Sequence, residues 1–276
     1  MEKIWQQDIE PRIFARSTPE EHPILILLGG QPGSGKTRLA HLITREIYGT
    51  RNITQIIGDD FRQFHPHYRR LLETNPAGMP SRTAKAAGFW TEKAIEFALK
   101  KRISILIEGT FRNPETPLFA AGSAKKSGYE VYVFAMAVPP FQSKLGTLER
   151  FYRALADKSA ARWTPPAIHD QAVASLPGSV KDLGDAKRIQ HLTVSDRDLK
   201  ALYEGSYKPR RGDEASKVIT VAHAADDISE KDRTLLLELR ALHYQYASKV
   251  DEALEVLNHM CMIADVDQAK QQVPTQ

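Results

Sequence analysis

Ile24-Leu25-Ile26-Leu27-Leu28-Gly29-Gly30-Gln31-Pro32-Gly33-Ser34-Gly35-Lys36-Thr37 is the stretch whose reading decides the fold. Its first five residues form an unbroken apolar run of the kind a strand buried on both faces needs. Residues 37–48 carry a helical pattern behind it, so the order is strand, glycine-rich turn, helix. The turn reads G-x-x-x-x-G-K-T, a complete phosphate-binding loop. Gly30, Gly33 and Gly35 let consecutive backbone N–H groups turn inward around an anion, and the helix N-terminus adds partial positive charge. The expected nucleotide contacts are therefore Gly30, Gln31, Pro32, Gly33, Ser34, Gly35, Lys36 and Thr37. Lys36 reaches the β and γ phosphates, and the Thr37 hydroxyl sits on Mg²⁺. The expected ligand is a nucleoside triphosphate.

The rest of the chain supports one large α/β unit with additions. Its 276 residues are 42% hydrophobic, enough for a sizeable core. A net charge of +4, spread along the chain, argues weakly for anionic substrates and hardly at all for a surface that coats nucleic acid. The single cysteine, Cys261, excludes an internal disulfide and a cysteine metal cluster; it reads as a buried helix residue and suits a reducing compartment. There is no charged-then-apolar leader and no apolar stretch near the ~18 residues of a membrane span. The expectation is a cytoplasmic protein with no membrane and no nucleic-acid partner.

Apolar strands are predicted at 24–28, 53–57, 103–108 and 130–137, with helices at 37–48, 83–100 and 115–127 between them. This alternation predicts a parallel sheet flanked by helices on both faces, a P-loop NTPase or kinase fold, with a mostly helical C-terminal extension. Residues 1–22 read as a flanking helix anchored by Ile4, Trp5, Ile9, Ile13 and Phe14. Residues 23–225 form the kinase domain, and 226–276 a helical extension with a loose tail after Asp265. Thr164-Pro165-Pro166 and Leu176-Pro177-Gly178 read as breaks, and 188–221 as a hairpin or short strands.

In such sheets ligands bind beyond the carboxyl ends of the strands, so the residues just after each strand are the ones to examine. After the second strand come Asp59, Asp60 and Arg62. An aspartate here can take the proton of a hydroxyl attacking a γ-phosphate, or it can cap a helix; Asp59 reads as facing the site and Asp60 as the cap. Glu108 ends the third strand at a Walker B position, where it holds Mg²⁺ directly or through water, or merely pairs with Lys36. Thr110 and Arg112 follow into the same cleft. Arg150 and Arg162 are either solvated helix arginines or a clamp for the transferring phosphoryl group. His65-Pro66-His67 reads as a turn rather than a metal site.

Taken together, several motifs in one order resemble a known family. They are the loop at 30–37, Asp59-Asp60-Phe61-Arg62 with His65-Pro66 and Tyr68, Trp90-Thr91-Glu92, and Ile107-Glu108-Gly109-Thr110-Phe111-Arg112. Met136-Ala137-Val138-Pro139, Leu145-Gly146-Thr147-Leu148-Glu149-Arg150, Arg162-Trp163-Thr164-Pro165 and His169-Asp170 complete the set. Together they resemble the zeta toxins of bacterial toxin-antitoxin systems, from about residue 23 to about residue 180. The resemblance implies a kinase that moves the γ-phosphate of ATP to the 3'-hydroxyl of the amino sugar of UDP-N-acetylglucosamine and so starves peptidoglycan synthesis. It implies Lys36 and Thr37 as the ATP and Mg²⁺ residues and Asp59, six residues before His65, as the base. Glu92, sixteen residues before Glu108, falls at a substrate-binding glutamate. Asp60, Arg62, Glu108, Thr110 and Arg112 join it at the substrate, and Arg150 and Arg162 match phosphate-clamping arginines. The implied partner is a small helical antitoxin inserted in the nucleotide site, and the short N-terminus leaves no room for a fused one. The C-terminal third carries no resemblance. Two other readings stand beside this one: a kinase for another hydroxyl, such as a polynucleotide end or an antibiotic, and an NTP-driven switch.

Overall fold

A computed structural model of the chain describes residues 1–246 and 250–265. The expected loose tail lies outside the described residues. The chain opens with α1 (Glu2–Ile4), a π turn at Trp5–Ile9 and α2 (Glu10–Ile13), then enters β1 (Ile24–Gly29). There follow α3 (Lys36–Leu42), a π turn at Ile43–Ile47, β2 (Thr54–Ile57), a 3-10 segment at Gly58–Phe64, α4 (Tyr68–Thr74) and α5 (Met79–Lys101). Next are β3 (Ile105–Gly109), α6 (Glu115–Lys126), β4 (Glu130–Met136), α7 (Pro140–Ala156) and α8 (Pro166–Asp185). The hairpin β5 (His191–Ser195) and β6 (Ala201–Ser206) leads into α9 (Arg211–His223), α10 (Glu230–Tyr246) and α11 (Asp251–Ile263), where Cys261 is buried.

One six-stranded sheet orders these strands β2-β3-β1-β4-β5-β6, parallel throughout except for β6, which runs antiparallel to β5. The predicted α/β class and all four predicted strands are present. Every residue of β1 is buried because β1 is central and covered on both sides. Side chains alternate along a strand. Ile24, Ile26 and Leu28 therefore pack with Leu39, Ala40 and Ile43 of the loop helix and its π turn. Leu25 and Leu27 share the opposite core with Trp90 and Ala94 of α5, Ala121 of α6 and Leu176 and Val180 of α8. Trp5 and Ile9 join that second core, and Trp90 Nε1 donates to Met1 O at 3.1 Å.

Three expectations change. Leu176-Pro177-Gly178 is not a break: Pro177 lies inside α8. A proline there removes one helix hydrogen bond, but Ala172, Leu176, Val180 and Leu183 are all buried on one face and carry the helix through it. Residues 188–221 do hold the hairpin, but from Arg211 they are helix. The β-branched run Val218-Ile219-Thr220-Val221 suggests strand, yet Ala215 and Ile219 are buried at a helical spacing of four. Finally, the helix expected at 83–100 begins earlier, as α5 from Met79, and α4 precedes it.

Arg211 closes the far edge of the sheet. It is fully buried, its Nε donates to Gly184 O at 2.9 Å, and its Nη atoms donate to Ile189 O, Gln190 O and Gly205 O at 3.2 to 3.4 Å. One side chain thereby joins the end of α8, the strand lead-in and the hairpin. Among the described residues no helix is long and apolar enough to cross a membrane.

Candidate active site

At Gly33 the loop between β1 and α3 approaches α7 too closely for a side chain. Gly33 has φ +76°, and a Cβ there would lie 2.0 Å from Ser143 O at the start of α7. Gly35, at φ +99°, turns the chain into α3. Gly33→Ala combines left-handed strain with a backbone clash. It is expected to lower stability by about 1–3 kcal/mol or more, read as a fall in Tm of several degrees, and to abolish triphosphate binding. An unchanged Tm would show that the loop and α7 move apart freely.

Below the loop lies a buried polar chain. The fully buried Gln31 donates through Nε2 to Val138 O at 2.6 Å and to Ser143 Oγ at 3.3 Å. Ser143 Oγ lies 2.9 Å from His169 Nε2, and His169 Nδ1 lies 2.8 Å from Asp170 Oδ1, which also receives Lys144 at 2.9 Å. Burial pulls the His169 pKa down, against the pull of Asp170. A neutral ring that donates from Nδ1 to the carboxylate leaves Nε2 to accept from Ser143. Arg197, in the hairpin turn, donates to Gln142 O at 2.6 Å and to Gly33 O at 3.5 Å.

Lys36 Nζ lies over the loop, donating to Gly30 O at 2.8 Å and Gln31 O at 3.1 Å, with Glu108 Oε1 at 4.0 Å. Burial lowers the lysine pKa, with Glu108 opposing. Burial likewise raises that of Glu108, with Lys36 opposing and Asp59 and Asp60 adding to the rise. Glu108 is thus paired with Lys36 at the outer limit of an ion pair, while its Oε2 is buried with no partner. Gln31 Oε1 and Ser34 Oγ are orphaned in the same way. A buried polar atom without a partner costs about 1–3 kcal/mol. Three such oxygens lie in and beside one loop, and of these Glu108 Oε2 belongs to the carboxylate beside the Lys36 ammonium, where a ligand could complete it.

Across from the loop, the 3-10 segment after β2 presents two acids. Asp59 Oδ1 accepts from Arg62 Nε at 2.8 Å, and Arg62 is itself held by Pro80 O at 2.5 Å and Thr83 Oγ1 at 2.8 Å. The Asp59 side chain remains 63% exposed. Desolvation would raise its pKa, but the ion pair and hydrogen bond from Arg62, with Arg162 and Arg150 nearby, outweigh it and hold the carboxyl below its usual range. Arg162 Nη1 donates to Asp59 O at 3.2 Å, and its Nη2 stands 3.6 Å from Asp60 Oδ1. Arg150 Nη2 donates to Thr164 Oγ1 at 2.8 Å. Asp60 makes no side-chain cap: the 3-10 segment starts from Ile57 without one, which corrects that part of the sequence reading.

At the end of β3, Arg112 Nε donates to Thr110 Oγ1 at 3.2 Å and its Nη1 to Gln171 Oε1 at 3.4 Å. Between them the buried Phe111 takes φ +53°, which a bulky residue rarely adopts. Its ring fills the space where a Cβ of Gly29 would be, and its carbonyl accepts from Ser179 Oγ at 2.6 Å. Thr37 is exposed on the first turn of α3. The structure gathers Lys36, Asp59, Asp60, Arg62, Glu108, Arg150 and Arg162 into one electrostatically coupled group, while the Thr110–Arg112 pair follows Glu108 in the chain and bonds toward Gln171 of α8. Glu92 is not gathered: it is exposed on α5 and makes no hydrogen bond or ion pair with that group. His65 and His67 form a turn, His67 N donating to His65 Nδ1 at 3.2 Å. Sequence reasoning missed Gln31 as an anchor, together with Ser143, Arg197 and the strained Phe111. His169 enters it only through the quoted His169-Asp170 motif. The partners of this group are dispersed in sequence and meet only in the fold.

A phosphate loop closing the central strand of a parallel sheet, an acid ending the adjacent strand and arginines from a helical arm define a P-loop kinase fold. The chain belongs to the zeta toxin family: the model of that family, Zeta toxin, matches residues 11–207. It is 35% identical over 190 residues to Toxin zeta of Enterococcus hirae, covering 68% of this chain and 66% of that protein, just under two thirds of its length. Toxin PezT of Streptococcus pneumoniae is 34% identical over 185 residues, 67% of this chain and 72% of that one. Among solved structures, the PezAT chromosomal toxin-antitoxin system of the human pathogen Streptococcus pneumoniae superposes with a TM-score of 0.72 at 26% identity, covering 90% of this chain and 96% of that one. The AvrRxo1-ORF1:AvrRxo1-ORF2 complex with ATP shares the fold at a TM-score of 0.52 and 13% identity, covering 88% of this chain and 81% of that one.

Proposed function

We propose that the chain is an ATP-dependent kinase that phosphorylates the 3'-hydroxyl of the amino sugar of UDP-N-acetylglucosamine or a related UDP-sugar. It acts in the cytoplasm as the toxin of a toxin-antitoxin pair. The observation that carries this reading is the Asp59 carboxylate, held ionised by Arg62 and flanked by Arg162, opposite a phosphate loop with orphaned buried oxygens. Asp59 accepts the proton of the sugar hydroxyl as its oxygen bonds to the γ-phosphorus. The bond from that phosphorus to the bridging oxygen breaks, and ADP leaves. Lys36, Arg150 and Arg162 hold the negative charge that spreads over the transferring group. The Thr37 hydroxyl and the free Glu108 Oε2 are hard oxygen donors of the kind magnesium takes, and with substrate phosphates one carboxylate suffices. A bound magnesium ion would supply further neutralisation of the phosphate charge. Asp60, Arg62, Thr110 and Arg112 border the acceptor in this reading, and Glu92, which stands apart from them on the exposed side of α5, would meet them only through the bound sugar nucleotide. The PezAT relative is a toxin-antitoxin system, and a small helical antitoxin is the partner proposed for this chain.

Incubation with ATP, magnesium and pooled nucleotide sugars tests the reading by mass spectrometry. Gain of one phosphoryl group on UDP-N-acetylglucosamine is expected. Gains on several UDP-sugars would broaden the substrate class, and no gain on any would overturn the sugar-nucleotide reading. A phosphate adds about two negative charges where a wall-building enzyme binds a neutral hydroxyl. Expression in a bacterium without an antidote is therefore expected to cause growth arrest or lysis, and the Asp59→Asn form to be tolerated.

A further inference from the structure

Arg162 and Trp163 are neighbours in sequence with different surroundings. Arg162 reaches the backbone of Asp59 and the carboxylate of Asp60, whereas Trp163 is 3% exposed and sits in a third hydrophobic cluster. That cluster joins Leu148 and Phe151 of α7 to Leu236 and Leu239 of α10 and Leu257 of α11. The Trp163 and Phe151 rings meet edge to face at 5.2 Å. The indole N–H of Trp163 donates to Glu252 Oε2 at 2.8 Å, in the first turn of α11. On the other side of Trp163, Thr164 receives the Arg150 guanidinium. Residues 162–164 therefore tie both arginines to the C-terminal helices. Two further links hold α10 to the arginine-bearing helix: Arg153 Nη2 to Glu238 Oε2 at 3.4 Å and Tyr152 OH to His243 Nδ1 at 3.1 Å. The family model ends at residue 207, so α10 and α11 lie beyond it.

We propose that Glu252 is a positioning residue for Arg162. Through the Trp163 indole it fixes the segment that carries the guanidinium, making α10 and α11 part of the phosphate clamp. The inference rests on the proposed role of Arg162. Apolar packing sets where the indole lies, but packing alone lets a flat ring slide, and the hydrogen bond fixes its rotation. Small displacements of a charge-bearing group weigh heavily in phosphoryl transfer, because the benefit of a guanidinium depends on where it stands relative to the developing charge.

The test uses the full chain with ATP, magnesium and UDP-N-acetylglucosamine, comparing Glu252→Ala, Glu252→Gln, Trp163→Phe, Arg162→Ala and the double variant Glu252→Ala/Arg162→Ala. Glu252 lies on the surface, so its substitution leaves the core intact. Glu252→Ala is expected to lower kcat about tenfold with KM for ATP within about twofold of wild type, and Trp163→Phe to do the same. Glu252→Gln keeps an acceptor oxygen and should restore most of the rate. The double variant should be no slower than Arg162→Ala alone, the non-additivity expected when one residue acts through another. Glu252→Ala at the wild-type rate beside an impaired Arg162→Ala overturns the inference alone, as does multiplication of the two losses. Arg162→Ala at the wild-type rate, or no transfer by the wild-type enzyme, overturns the proposed site reading and the inference with it.

Discussion

Asp59→Asn is expected to lower kcat by about a hundredfold or more and to leave ATP affinity within about twofold, the loss that follows when a general base, the role proposed for Asp59, is removed while shape is kept. The surroundings of Asp59 make this change clean. Arg62 loses its carboxylate partner but retains Pro80 O and Thr83 Oγ1, so the 3-10 segment keeps its anchor. The flanking guanidiniums hold the Asp59 carboxyl ionised well below neutrality, so the deficit is the same across the neutral pH range. Asp60→Asn removes only a 3.6 Å contact with Arg162 and is expected to cost far less. Steady-state kcat and calorimetric ATP affinity for the two variants check this. Equal effects from both would refute the assignment of the base.

Lys36→Ala should be more severe for the triphosphate itself, with turnover falling about a thousandfold or more because the charge proposed to meet the β and γ phosphates is gone. The domain should stay folded. Leu39, Ala40 and Ile43 bury the helix face, and the Lys36 ammonium contributes carbonyl contacts over the loop rather than packing. Glu108 would lose its nearest positive charge, leaving burial to push its carboxyl further upward, the direction that favours its neutral form over an unpaired buried charge. Circular dichroism and thermal melting alongside ATP turnover check both halves. A variant that turns ATP over normally would remove the loop from the reaction.

The parts of this molecule that were legible in sequence are those coded locally. The β1 run, the loop and the acids after β2 and β3 each sit within a few residues of the strand that positions them, and pattern plus turn chemistry suffices to place them. What was not legible depends on partners far apart in the chain. Ser143 meets His169 and Gln31 only because α7 and α8 cross under the loop, and Arg197 reaches Gly33 only through the hairpin. Val218-Ile219-Thr220-Val221 reads as strand by propensity, yet a buried face shared with α8 makes it helix, tertiary packing overriding a weak local preference. Pro177 misled for the same reason. Arg150 and Arg162 had no local signature to separate them from solvated helix arginines. Only the resemblance marked them, and only the fold shows that Arg162 stands beside Asp59 and Asp60.

The Arg211 guanidinium has a consequence for how the chain opens. Its carbonyl partners belong to α8, the β5 lead-in and β6, so none of these segments can detach while the guanidinium stays in place. Local fraying is then expected to give way to a joint sub-global event, in which hairpin amides and those of α8 and α9 would exchange hydrogen with solvent at one common free energy. The hairpin that carries Arg197 to the phosphate loop belongs to this same cooperative unit. The loop's outer support and the sheet's edge would therefore be lost or regained as one.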